Sequence, residues 1–268
     1  MSIFQPHLLK DKTAFITGGS SGICLGIAEA FASHGARLLL LGRSQEKLDA
    51  AVAGIRGKGG TAEGFAADVR NYPAMEEASA RCAELYGGID ILICGAAGNF
   101  PAPVMGMSAN GFKAVIDIDL LGTYNTCRAA YAHLRKPGAS LISISANHAH
   151  QPYAFQSHVC AAKAGVDLFT KTLALEWGRD GIRANIIYPG PIDGTEGMRR
   201  LAPSEAARKA VIDAVPIRRM GTVEDIANLA LFLSSDAASY ITGAAFACDG
   251  GSGLTGSRSF EAAFTGGR

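Results

Sequence analysis

Three groups of residues in this 268-residue chain carry types and spacings that suit chemistry. The first is Thr17-Gly18-Gly19-Ser20-Ser21-Gly22-Ile23-Cys24-Leu25-Gly26, which closes an apolar run and opens a helical pattern. Glycines at such a turn let the backbone approach a pyrophosphate, and the helix start offers free N–H groups and the positive end of its dipole. Gly18, Ser20, Ser21, Gly22 and Ile23 are therefore the expected phosphate cradle of a dinucleotide. The second group, Leu41-Gly42-Arg43-Ser44, ends the next apolar run. A carboxylate there would take the ribose 2′-hydroxyl of NAD, whereas an arginine suits the 2′-phosphate of NADP, so Arg43 and Ser44 point to NADP(H) over NAD. The third is a set of proton-handling side chains late in the chain: His148, His150 and His158, with Lys163 close behind. Histidine titrates nearest neutrality and can serve as acid or hydrogen-bond partner. His150 reads as loop.

These groups need rigid elements to aim them. Short apolar runs alternate with longer amphipathic stretches, the rhythm of βαβ units and a parallel sheet. The runs Thr13–Thr17, Arg37–Leu41, Gly64–Ala67, Ile89–Cys94, Ser140–Ser145, Arg183–Tyr188 and Ala244–Cys248 predict seven strands. Helices are expected at Gly22–His34, Gln45–Arg56, Ala74–Tyr86, Ser108–Leu134, His158–Trp177 and Val223–Leu233. The expected fold class is α/β: a Rossmann-type, doubly wound, seven-stranded parallel sheet with helices on both faces. No repeat or composition break divides the chain, so residues 1–268 read as one dinucleotide-binding domain. Residues 189–216 carry four prolines between two strands and read as a substrate lid. Residues 251–268, rich in Gly, Ser and Arg, read as a loose tail or an oligomer contact.

Composition narrows the classes. Hydrophobic residues make up 48% and charged residues 18%, an ordinary globular balance, and a net charge of +1 lacks the footprint of a nucleic-acid binder. No apolar run reaches the roughly 18 residues of a membrane span. The six cysteines show no metal-ligand spacing, so no metal is expected and packing is their expected use. Neither the first ten residues nor the terminal Thr265-Gly266-Gly267-Arg268 matches a signal peptide or a peroxisomal address, which leads to the expectation of a cytoplasmic protein.

The TGxxxGxx spacing, with Asp68-Val69, Ala96-Ala97-Gly98 and Pro189-Gly190-Pro191-Ile192 in order behind it, resembles the short-chain dehydrogenase/reductase family. The resemblance implies an adenine contact at Asp68 and Val69 and a loop under the cofactor at Ala96, Ala97 and Gly98. It also implies nicotinamide-amide contacts from Pro189, Gly190 and Ile192, and a phosphate contact from Thr195. Cys24 departs from the family glycine and would narrow the approach to the phosphates. Ordinary members use a Tyr-x-x-x-Lys pair and a serine. Here Lys163 is present, but Val159 stands at the tyrosine position and Ala146 at the serine position. An alkyl chain cannot give a proton.

Cys94–Phe100, Asp117-Ile118-Asp119, Gln156-Ser157-His158 and Pro189–Leu201 resemble the 2,4-dienoyl-CoA reductases, the peroxisomal type above all, which also lack that tyrosine. The resemblance implies NADPH-dependent reduction of an unsaturated acyl thioester, with Asp119 holding a water and Lys163 holding the nicotinamide ribose. It leaves His148 as a proton donor, a carbonyl ligand or a pocket-rim residue. Asn99 and Phe100 would line the substrate entrance, Asn99 either bonding the thioester or shaping a turn. His158 would be more structural than chemical, and Arg199 and Arg200 would meet CoA phosphates or stay solvated. Small-molecule substrate, no nucleic acid, no membrane and a homotetramer complete the implied picture. Two rivals stay open: reduction of another conjugated carbonyl, and a catalytically silent NADP-binding protein.

Overall fold

The computed structural model describes residues 3–257. Its centre is a seven-stranded, all-parallel sheet in the order β3-β2-β1-β4-β5-β6-β7. The strands are β1 (Thr13–Thr17), β2 (Arg37–Gly42), β3 (Thr61–Ala66), β4 (Ile91–Cys94), β5 (Ser140–Ile144), β6 (Arg183–Pro189) and β7 (Ala245–Cys248). Side chains alternate across a strand, and both faces here are covered, so the central strands are apolar throughout. Ala14, Ile16, Leu38, Leu40, Ile91, Ile93, Ile142 and Ile187 point to one face. Phe15, Leu39, Leu41, Leu92, Leu141 and Ala184 point to the other.

Helices α1 (Gly22–Ser33), α2 (Gln45–Gly57) and α9 (Val223–Ser234) seal the first face through Ile27, Phe31, Leu48, Val52 and Ile226. Helices α3 (Tyr72–Tyr86), α5 (Gly122–Ala130) and α6 (Ser157–Trp177) seal the second through Met75, Cys82, Cys127 and Leu173. Burying one such side chain stabilises by about 1.5–3 kcal/mol, so the paired cores hold the strand ends in register. The strand order reverses between β1 and β4, and ligand crevices in such sheets open at the carboxyl ends of the strands at that switch point.

Two expectations need correction. The helix expected over Ser108–Leu134 is continuous but not regular: α4 (Ala109–Val115) passes into a π-helical turn (Ile116–Leu121) before α5. The wide turn brings Asp119 to a buried position, 1% exposed, that a regular helix would set differently. Residues 189–216, expected as a lid, hold α7 (Glu196–Leu201) and α8 (Glu205–Ala214), capped by the Thr195 and Ser204 hydroxyls. The tail expected from 251 onward is not loose where it is described. The Gly251 and Gly253 amides donate to Asp249, which ties the segment to the end of β7. Residues 258–268 lie outside the described residues.

Candidate active site

A crevice of about 540 Å³ opens along the carboxyl ends of β1, β2, β4, β5 and β6, within the range of small-molecule and cofactor sites. Its floor is the turn after β1. Gly18 takes φ +72°, and a Cβ there would lie 2.9 Å from the Gly95 carbonyl oxygen, so only glycine lets these two loops touch. Ser21 precedes α1 in an extended conformation and makes no side-chain cap bond. The first amides of α1 thus stay available for an anion, the arrangement a pyrophosphate requires.

Cys24 does not cross that floor. A Cβ built on Gly95 would sit 2.1 Å from its Sγ, so the thiol lies over the bare face of Gly95 and fills it. Burial pushes this thiol up to about 12, and it stays neutral.

Arg43 stands exposed at the rim beside β2, with no carboxylate at ion-pair distance among the described residues. Ser44 lines the same rim, and its hydroxyl caps α2 by accepting from the Lys47 amide at 3.3 Å. Lys47 also lines the crevice; sequence reasoning missed it, although a base three residues past a helix cap was the available signal. Asp68 and Val69 line the wall after β3. The Asp68 carboxyl is held below its usual range, first by its hydrogen bonds from Arg70, at 2.6 and 3.0 Å. Ala96, Ala97, Gly98 and Asn99 follow β4 into the crevice, and Pro189, Gly190 and Thr195 close it after β6.

At the centre, Lys163 and Asp119 form an ion pair at 3.2 Å, their side chains 9% and 1% exposed. Lys163 also donates to the Ile144 carbonyl at 3.1 Å. Asp119 accepts the Gly98 amide on Oδ1 at 2.7 Å, which fixes the carboxylate to the loop after β4. Val159, on α6 one turn before Lys163, is buried and faces the same space, as does Ala146. The lysine is therefore partnered by a carboxylate where a phenol is absent.

His148 reaches the crevice from the turn after β5. Burial, helped by the positive Lys163, lowers its pKa to about 4, so the ring is neutral at neutral pH. It can offer a hydrogen bond there but not an imidazolium proton. Tyr153 stacks on it with centroids 3.9 Å apart, a contact the sequence did not signal. Ser145, missed as well, lines the crevice with a buried hydroxyl that has no partner among the described residues.

Other expected residues lie outside the crevice wall. Gly22 starts α1 with φ +56°. Ile192 is buried below the loop after β6 and bridges to Gly221. Phe100 packs its ring on the fully buried His158 at 4.5 Å, and neither nitrogen of that imidazole has a partner among the described residues. Arg199 and Arg200 are exposed on α7, and both pair with Glu196, at 2.7 and 3.0 Å.

The family model described as enoyl-(acyl carrier protein) reductase matches residues 17–253. The chain is 42% identical over 252 residues to a peroxisomal 2,4-dienoyl-CoA reductase of Saccharomyces cerevisiae, covering 92% of this chain and 86% of that one. It is 43% identical to the enzyme of the same description from Pongo abelii, covering 94% and 87%. A crystal structure of a short chain dehydrogenase from Bacillus anthracis superimposes with a TM-score of 0.84 at 41% identity, covering 91% of this chain and 97% of that one. The relatives' names overturn the cytoplasmic expectation, since they place those enzymes in the peroxisome. Compartments follow receptor-read addresses, which composition and fold do not encode.

Proposed function

Since the chain belongs to the short-chain dehydrogenase/reductase family, a family of oxidoreductases, we propose that it uses NADPH to reduce a 2,4-dienoyl-CoA. The observation that carries this reading is the buried Lys163–Asp119 pair facing Val159, an arrangement with a charged anchor and no phenolic acid. The preference for NADPH over NADH rests on Arg43 and Lys47, two bases at the rim where a 2′-phosphate would lie, and on Gly42 in place of a carboxylate.

The glycine turn after β1, Arg43, Lys47 and Lys163 would hold NADPH in the crevice, and the cofactor would supply the hydride for the far end of the conjugated thioester. The negative charge that develops spreads into the thioester, which reduces what the protein must supply as an acid. Lys163 holds the nicotinamide ribose and contributes positive potential. Asp119, fixed by the Gly98 amide and by Lys163, orients the water that protonates the dienolate, and the hydroxide left behind regains a proton from solvent. Neutral His148 and Asn99 offer hydrogen bonds to the thioester oxygen. Exposed apolar side chains at Phe100, Val104, Met105 and Phe155 suit an acyl tail. Arg199 and Arg200 meet the CoA phosphates by exchanging Glu196 for them, with residues 189–216 acting as the lid. A homotetramer is supported by exposed Leu121, Tyr124, Leu168 and Leu175 on the π turn, α5 and α6.

NADPH consumption with 2,4-hexadienoyl-CoA tests the proposal. Turnover supports it. Turnover restricted to enones without CoA would point to another conjugated carbonyl, and binding of NADPH with no turnover on either would mark a silent cofactor-binding protein.

A further inference from the structure

Beyond β7 the chain turns back against the loop after β6 and the turn after β5. Asp249 is buried, and its carboxylate collects four donors: Asn147 Nδ2 at 2.8 Å, the Gly251 amide at 2.8 Å, the Gly253 amide at 2.7 Å and Ser252 Oγ at 3.3 Å. Only an ionised carboxylate is acceptor-only with room for four donors; an amide or hydroxyl in its place would turn a donor toward another donor. Burial opposes ionisation of Asp249, but the donors outweigh it and hold the carboxyl below its usual range.

The partners lie 102 residues earlier, in the turn after β5. Asn147 is bound by Asp249, and Gln151 donates to the Gly253 carbonyl. His148 sits between these two anchors. To reach them the strap crosses the carboxyl end of β6, where a Cβ on Gly190 would lie 2.5 Å from Asp249 Cα. Gly250 and Gly251, at φ +62° and +84°, supply the left-handed turn that folds the strap back on its own carboxylate.

We propose that Asp249 and Asn147 are positioning residues: the strap beyond β7 locks the turn after β5 and thereby aims the His148 ring into the crevice. The turn has local contacts of its own, its amides bonding the Ala146 and Asn147 carbonyls and Tyr153 stacking on His148, but its two side-chain anchors come from the far end of the chain. The inference rests on the reductase reading above for its kinetic consequence but not for its structural one.

The test compares the wild-type enzyme with Asp249→Asn, Asn147→Ala and the double variant, reading kcat on 2,4-hexadienoyl-CoA and the Kd for NADPH. Residues acting through one contact couple non-additively. Each single change should lower kcat about tenfold and leave the NADPH Kd within about twofold, and the double variant should be no worse than the weaker single by more than about twofold. Multiplicative losses, or a folded Asp249→Asn enzyme with the wild-type kcat, overturn the proposal.

Should Asp249→Asn not fold, Gly253→Ala probes the same lock with both partners kept. Its Cβ would lie 2.9 Å from Asp249 Oδ2 and 3.1 Å from Asn147 Nδ2, wedging the pair apart. A lower kcat with unchanged NADPH binding supports the lock, and an unchanged kcat refutes it. The His148 ring resonances give a readout free of activity: they should move between wild type and Gly253→Ala, and identical spectra refute the lock. A wild-type enzyme inactive on the dienoyl thioester would sink the functional reading alone and leave this spectral arm decisive.

Discussion

Replacing Asp119 by alanine removes a carboxylate that has two duties in the structure, accepting the Gly98 amide at 2.7 Å and balancing Lys163 at 3.2 Å. With side chains 9% and 1% exposed, the pair is screened little by solvent. Taking one partner out of a buried pair strands the other charge, at a cost of about 3–5 kcal/mol, and leaving the Gly98 amide without its acceptor adds about 1–3 kcal/mol if water does not replace it. Together these approach the whole stability of a marginal protein, about 5–15 kcal/mol. Asp119→Asn separates the two duties, since its oxygen still accepts from Gly98 while its NH2 group faces the ammonium. Denaturant unfolding should show a loss near 3 kcal/mol for Asp119→Asn and a larger one for Asp119→Ala. If Asp119 orients the protonating water, kcat on the dienoyl thioester should fall by about 10²-fold or more in both. The NADPH Kd should stay within about threefold, because the glycine turn and the Arg43 rim are untouched. Wild-type kcat in either folded variant would remove Asp119 from the chemistry. A stability loss below about 1 kcal/mol would mean the pair is not buried in solution.

Four further outcomes follow from the same geometry. His148→Phe keeps the stack on Tyr153 and removes the N–H, so kcat should drop about tenfold, the worth of one hydrogen bond, with NADPH binding unchanged. In the wild type, the His148 pKa is depressed to about 4 from 6.5, so the unfolded chain binds the extra proton first; this group's stability contribution is complete above pH 6.5 and is lost as pH falls toward 4. A pH–rate limb at 6.5 that vanishes in His148→Phe would contradict that assignment. Gly95→Ala should be badly tolerated because its Cβ meets Cys24 Sγ at 2.1 Å, and Cys24→Gly should restore much of the lost thermal stability. Failure of the second change to suppress the first would show that the clash lies elsewhere. Arg43→Ala should weaken NADPH by about tenfold or more, the value of a charge-assisted hydrogen bond, while leaving NADH unchanged. Equal loss for both cofactors, measured by fluorescence titration, would take the 2′-phosphate contact away from Arg43.

Much of the fold was legible because its signals are local. The strand runs through Phe15, Leu39, Leu92 and Leu141 declare themselves by continuous apolarity between turns, and Gly18 and Gly22 declare the phosphate turn by type and spacing. The emptied phenol position at Val159 was equally plain four residues before Lys163. What stayed hidden depends on pairs distant in sequence. That Asp119 is bound to Lys163, 44 positions on, cannot be read from either residue's neighbours. The direction of Cys24 needed Gly95 to be known as its neighbour in space. The neutrality of His148 needed both its burial and the nearby lysine. The π turn in the helix expected over Ser108–Leu134 has no proline or glycine inside it to betray it, since Ile116–Leu121 reads as ordinary amphipathic helix.

That π turn has a consequence of its own. In a π turn the hydrogen-bonded ring takes in one residue more than in an α-helix. Excising a single residue upstream of Asp119, Ile118 for instance, would let Ile116–Leu121 relax to regular geometry and rotate the carboxylate by about 100°, the angle each residue subtends. Every side chain able to do chemistry would survive such a deletion, yet the acid would point away from its lysine. Here the bearing of a functional group is written in the count of backbone units before it.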